Sequence, residues 1–205
     1  MRAFRCWLVV ISLSASGCST LSKDECITAD WRTIGFEDGS RGYTSQRISS
    51  HRESCAEHGI TPNMDRYLSG HREGLHNYCT YANGLNVGKR GTEYNQVCPQ
   101  EIEGEFIAGY RQGRKIHDVS TQIADLENER QSIIQEIDQF NAEITSKREM
   151  VIAQSTGPTL RRELLSQIEA LEAAVATRSE SLDHLTHKQT RYRLRLKNLN
   201  LGTKY

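Results

Sequence analysis

The chain has 205 residues, 26 basic and 26 acidic side chains, a formal net charge of zero and 7% aromatic residues. That balance excludes a charge-driven nucleic-acid binder, which needs a clear basic excess. The length suits one modest globular domain joined to something elongated.

At the N-terminus, Arg2 and Arg5 supply a basic start, and Trp7 to Leu13 an apolar stretch too short to span a bilayer. Small residues from Ser14 to Gly17 complete what reads as a signal peptide over residues 1–17. These small residues abut Cys18, and the string resembles the lipobox of bacterial lipoproteins, with Ala15 where that family usually carries Leu. The resemblance implies a diacylglyceryl thioether on Cys18 and an acylated amine, carrying fatty chains of the palmitate type. Two or more chains anchor a protein stably where one does so only marginally. Ser19, in place of an Asp that would mark inner-membrane retention, implies the periplasmic face of a Gram-negative outer membrane. Residues 18–25 form a short tether. No other segment approaches the roughly 20 apolar residues of a transmembrane helix.

Four further cysteines, Cys26, Cys55, Cys79 and Cys98, all lie in the first half. In an exported chain they read as two disulfides with three possible connectivities. Sequential pairing, Cys26 with Cys55 and Cys79 with Cys98, is favoured because it closes the shorter loops, each bridge contributing about 3 kcal/mol.

Between Cys26 and His117 an aromatic residue is followed by Gly-x-x-x-Gly four times: Trp31 with Gly35 and Gly39, Tyr67 with Gly70 and Gly74, Tyr81 with Gly84 and Gly88, Phe106 with Gly109 and Gly113. Glycine inside a helix costs about 1 kcal/mol relative to Ala, so its repetition at i, i+4 predicts close approach of neighbouring helices. The membrane use of this spacing is excluded by Asp38, Arg41, Arg72, Glu73, Lys89 and Arg90. Helices are predicted from a Thr28 cap through Arg41, from Thr44 or Ser45 to Gly59, and from Thr61 or Asn63 to Tyr78, with no strand.

Several strings, among them Thr28-Ala29-Asp30-Trp31, Gly35-Phe36-Glu37-Asp38-Gly39, Gly70-His71-Arg72-Glu73-Gly74-Leu75, Tyr78-Cys79, Val97-Cys98-Pro99 and Gly109-Tyr110, together resemble the bacterial lipoprotein family catalogued as domain of unknown function 2799. The likeness spans roughly residues 22–117. It implies a cell-envelope lipoprotein domain and adds no mechanism.

Beyond the glycines, a 4-3 spacing runs through Val119, Ile123, Leu126, Arg130, Ile133, Ile137, Phe140, Ile144, Lys147 and Val151. It resumes at Leu164, Ile168, Leu171, Val175, Arg178, Leu182, Leu185, Gln189, Tyr192, Leu196 and Leu199. Such heptads predict coiled-coil helices, broken at Gly157 and restarted by Pro158. Residues 118–154 carry a net charge of −5 and residues 155–205 one of +4, so the arms attract when folded back. Lys188, Arg191, Arg193 and Arg195 are expected beside Asp118, Asp125, Glu127 and Glu129. Pro99 can open a helix running through Phe106 and Gly113 into the first arm.

The expected fold is therefore all-α: a small disulfide-stapled, Gly-rich helical domain over residues 26–117 and a long antiparallel coiled-coil hairpin over 118–201, turning near 154–158, with a tail at 202–205. Two Cys/His trios, His71 with His76 and Cys79 and His51 with Cys55 and His58, match no zinc module, and no metal or cofactor is expected. No nucleophile motif is present. Asp38, Glu73 and Glu93 read as packing-adjacent charges, and the pairs Asp38/Arg41 and Arg72/Glu73 as surface charges. A non-enzymatic, outer-membrane-anchored lipoprotein is the leading expectation, its hairpin contacting an envelope protein, with peptidoglycan nearby and no nucleic acid bound. A second is a peptidoglycan or small-molecule binding module using a surface around Tyr67, Tyr81, Tyr94 and Tyr110; a third is an envelope enzyme.

Overall fold

The computed structural model describes residues 21–202; the leader, Cys18 and the last three residues lie outside the described residues. Seven α-helices follow in chain order: α1 Lys23–Ile27, α2 Trp31–Ser40, α3 Ile48–Ala56, α4 Met64–Tyr78, α5 Tyr81–Lys89, α6 Gln100–Ile152 and α7 Pro158–Leu201. A 3-10 turn, Ser45–Arg47, precedes α3, and no strand occurs among the described residues. The all-α expectation holds.

Local chemistry explains the boundaries. Ser22 and Glu25 form a reciprocal capping box on α1, and Thr28, expected as a helix start, instead closes that helix by donating to the Asp24 carbonyl. Asp30 is the N-cap of α2, its carboxylate accepting from the Arg32 N–H, and Thr80 caps α5 through Asn83. Asn63 accepts from the Arg66 N–H at the start of α4. Gly157 and Pro158 open α7 as predicted.

Tertiary contacts divide the chain into two units. The first holds α1 to α4 with residues 95–99; the second holds α5, α6 and α7. The boundary expected after residue 117 thus falls inside the unbroken α6, because α5 packs along the start of that helix.

Both units are built on the same seam. In the first, a Cβ added to Gly35 or Gly39 of α2 would meet the carbonyl oxygens of Tyr67 or His71 on α4 within 2.2 Å. Reciprocally, Gly70 and Gly74 face the carbonyls of Arg32 and Phe36. In the second, Gly84 and Gly88 of α5 face Phe106 and Tyr110 of α6, while Gly109 and Gly113 face Tyr81 and Leu85. Every carbonyl met lies three residues before a glycine of the partner helix, so the two seams share one register. After each first helix a left-handed glycine turns the chain: Gly42 (φ 75°) lies under the Tyr78 ring and Gly91 (φ 73°) under the His117 ring. The close approach predicted from glycine spacing is present at all four repeats.

Each pair also has one cystine in the same place, tying the segment before its first helix to the segment before its second. Cys26 and Cys55 are bonded, with Cα atoms 5.5 Å apart, and Cys79 is paired with Cys98. The core of the first unit gathers around its bridge: Cys26, Trp31, Ile48, Cys55 and Tyr67 pack together.

Helices α6 and α7 form the antiparallel hairpin. At 1.5 Å per residue, the 53 residues of α6 extend about 80 Å. All ten positions of the first predicted stripe are buried or half-buried, and so are those of the second except Arg178. Leu126, Ile133 and Leu185 form its central cluster. The polar interruptions fix register rather than break it. Gln189 is buried and donates to Glu127 at 2.6 Å, Lys147 reaches Gln167, and Arg178 pairs with Glu136 at 2.6 Å. Of the four cations expected opposite acids near the open end, Arg193 approaches Glu127 at 3.9 Å, whereas α7 residues Lys188, Arg191 and Arg195 line a shallow surface groove with Tyr192.

Candidate functional site

The first unit contains a buried polar cluster. Asp38 belongs to the Gly35–Gly39 turn of α2, so the helix spacing that lays both glycines on α4 also turns this carboxylate inward. Its Oδ2 accepts from Tyr67 Oη at 2.8 Å and from His51 Nε2 at 2.7 Å, and its Oδ1 lies 3.3 Å from Arg47 Nε. Asp38, His51 and Tyr67 are all at least 96% buried. Asp38 is therefore not the surface partner of Arg41; that arginine lies beside Glu37, and Glu73 pairs with Arg32 rather than Arg72.

Burial by itself raises the Asp38 carboxyl pKa, but hydrogen bonds from His51 and Tyr67 and the charge of Arg47 outweigh it and hold the pKa below the ordinary value. The same contact acts on Tyr67 in the opposite direction: burial and the adjacent carboxylate push its phenol pKa well up, so it remains a donor. Because Asp38 is ionised and acceptor-only, the shared proton on His51 sits on Nε2. The Tyr67 ring stacks on His71 at 5.9 Å and meets His51 edge-on at 6.2 Å. A carboxylate orienting an imidazole can serve acid–base chemistry only where the imidazole meets a substrate, and His51 is 3% exposed. The arrangement is built to hold charge within the core.

The four tyrosines expected to form one surface separate. Tyr67 is fully buried in the first unit, which removes it from any binding surface, because its hydroxyl is committed to Asp38. Tyr94 and Tyr110 belong to the second, where Tyr94 packs on Phe106 at 4.6 Å and on Tyr110 at 6.1 Å and donates to Glu103. Tyr81 opens α5 and is half-buried. Cys55 and Cys79, imagined as parts of metal trios, are both in disulfides and supply no thiolate.

Two features had no warning in the residue pattern. One is a cleft of about 300 Å³ beside His71 and Arg72. The other is the distribution of exposed apolar side chains on the hairpin: Met150, Ile152, Leu160 and Leu165 flank the turn, Ile152 being 80% exposed. Leu194 and Leu201 lie at the opposite end, and none lies between. The heptad count had marked only the seam, and these residues are off it.

The described residues are all-α: one unit holds a disulfide-stapled, glycine-seamed helix pair, and the other a second glycine-seamed pair whose α6 continues into a helical hairpin. Residues 30–115 match the family described as "Protein of unknown function (DUF2799)", and this segment is a domain of that family. The match covers both glycine seams and three of the four bridged cysteines. No curated protein and no solved structure matches the chain.

Proposed function

We propose that this chain is a lipid-anchored, non-enzymatic lipoprotein of the periplasmic face of the outer membrane, and that its hairpin docks on an envelope protein. The observation that carries the docking is the apolar tip. Met150, Ile152, Leu160 and Leu165 are exposed within two helical turns of the bend, while the middle of the hairpin exposes no large apolar side chain. Exposed apolar groups concentrated in one place mark contact surfaces, whereas scattered ones do not. These side chains lie off the hairpin's own seam, 44–80% exposed. The anchor rests on the Cys18 string described above.

A photo-crosslinking residue at Ser155 should capture a discrete envelope protein in intact cells, and Ile152→Ser with Leu160→Ser should abolish that capture. Identical crosslinked species with and without the apolar tip would reject docking there. For the anchor, mass spectrometry of the mature N-terminus should find an acylated Cys18, and Cys18→Ala should move the protein out of the membrane fraction.

A further inference from the structure

The cleft in the first unit is formed by two helical turns of α4 facing the segment Asn95–Val97. Leu68, Leu75 and Val97 contribute apolar lining, and His71, Arg72 and Gln96 polar lining. Thr44 and Ser45 also line it. Its volume, about 300 Å³, sits at the lower end of the range for small-molecule sites.

Three observations define what it accepts. First, Arg72 is the one charged group of the lining, and no ion pair among the described residues occupies it: the neighbouring Glu73 is committed to Arg32 at 2.7 Å. An unneutralised guanidinium is a fork for a carboxylate. Second, His71 is 5% exposed and donates from Nε2 to the Tyr43 carbonyl at 2.8 Å. A carbonyl only accepts, so Nε2 holds a proton, and Nδ1 is the ring nitrogen left to meet a ligand. Third, Gln96 is the one non-glycine residue at positive φ (55°) among the described residues. Left-handed backbone at a non-glycine residue persists where its surroundings over-determine it, and such residues collect at ligand sites. Here it bends the rim toward α4, with Cys98 in a disulfide two residues on.

A single cation, a buried imidazole nitrogen and three apolar lining residues together fit one chemistry. We propose that this cleft binds an amino-acid carboxylate with a small apolar side chain, carried by the C-terminal end of a short peptide or by a free amino acid. The carboxylate lies on Arg72 with Thr44 and Ser45 as further donors, the N–H points to His71 Nδ1, and the side chain rests on Leu68, Leu75 and Val97. This site is independent of the hairpin and of the docking proposed for it.

Calorimetric titration of the purified full chain tests it with three probes: acetyl-Ala-Ala, the same peptide amidated at its C-terminus, and alanine. Saturable binding of the acid is expected, weaker by roughly tenfold or more for the amide and for Arg72→Ala, a loss of about 1.4 kcal/mol or more. Arg72 is exposed, so thermal unfolding of that variant should match the parent and exclude misfolding. Val97→Trp, which fills the cleft, should remove binding as well. Alanine binding as tightly as the peptide assigns the cleft to free amino acids; weaker alanine assigns it to peptide ends. No saturation by any probe, equal affinity for acid and amide, or an unaffected Arg72→Ala would overturn the proposal.

Discussion

The two glycine-seamed pairs, α2 with α4 and α5 with α6, share a backbone and differ in what they bury. In the first, the residue before the second glycine is Asp38 and the residue three before the partner glycine is Tyr67. At the same register in the second pair stand Val87 and Phe106, 2% and 0% exposed. Where one pair places a hydroxyl–carboxylate contact, the other places two buried apolar residues. The seam is therefore sufficient without buried charge, and the Asp38, His51, Arg47 and Tyr67 cluster is an addition carried by one pair alone.

Substitutions in the shared seam should have the largest effect and the least discrimination. Gly70→Ala places a Cβ 1.8 Å from the Arg32 carbonyl oxygen, and Gly109→Ala places one 2.1 Å from that of Tyr81, in each case backbone that cannot step aside. Each is expected to cost about 3 kcal/mol or more in urea unfolding of its own unit. Tolerance at one site and collapse at the other would show that the seams are not equivalent.

Asp38→Val comes next, at about 3 kcal/mol, because it strands a half-buried guanidinium and a buried imidazole and phenol. Adding Tyr67→Phe copies the second pair and should recover part of that loss in the same assay. A double variant no better than the single one would mean the first interior cannot be made apolar.

Acid should then separate the pairs. The Asp38 pKa is lowered in the fold, so its contribution is present above the unfolded value near 3.8 and is lost as pH falls through the lower folded value. Near-ultraviolet circular dichroism of Asp38→Val should show less loss of stability between pH 4 and pH 2 than the parent does. An unchanged acid limb would remove Asp38 as its cause.

The smallest effect lies off both seams. Gly104, in α6, has open space where its Cβ would be, and Gly104→Ala should stabilise by about 1 kcal/mol through helix propensity alone. A loss in thermal unfolding would reveal a contact at this position.

Much of this was legible in residue order because the signals are periodic. Glycine at i, i+4 announced four helices needing a close neighbour, and the heptads placed the hairpin turn at Gly157. What periodicity does not say is which glycine helix meets which, and so the grouping of α5 with α6 and α7 in one unit was hidden. Asp38 lies between Glu37 and Gly39 with Arg41 nearby, the composition of a solvated face; aligning the glycine repeats, which sets Asp38 against Val87, is the signal that exposes it. The short α1 carries a readable capping box in Ser22 and Glu25, yet five residues offer no period to detect. The cleft depends on Gln96 meeting α4 across the chain, which no local pattern encodes.

Four helices bearing one complementary face create a problem of choice while the chain is folding. Gly35 and Gly39 can be accommodated by the carbonyl spacing of α6 as well as by that of α4, and α5 has the mirrored option. For α2 the native partner α4 is nearer in sequence than α6, which favours it kinetically because shorter loops close at lower entropic cost; α5 begins closer to α4 than to α6, so loop length alone does not select its partner. Each cystine then makes the choice permanent, since Cys26–Cys55 and Cys79–Cys98 close loops that each contain only one first helix. A chain oxidised slowly would exchange partners, between its own pairs or with a neighbouring molecule, before either bridge forms.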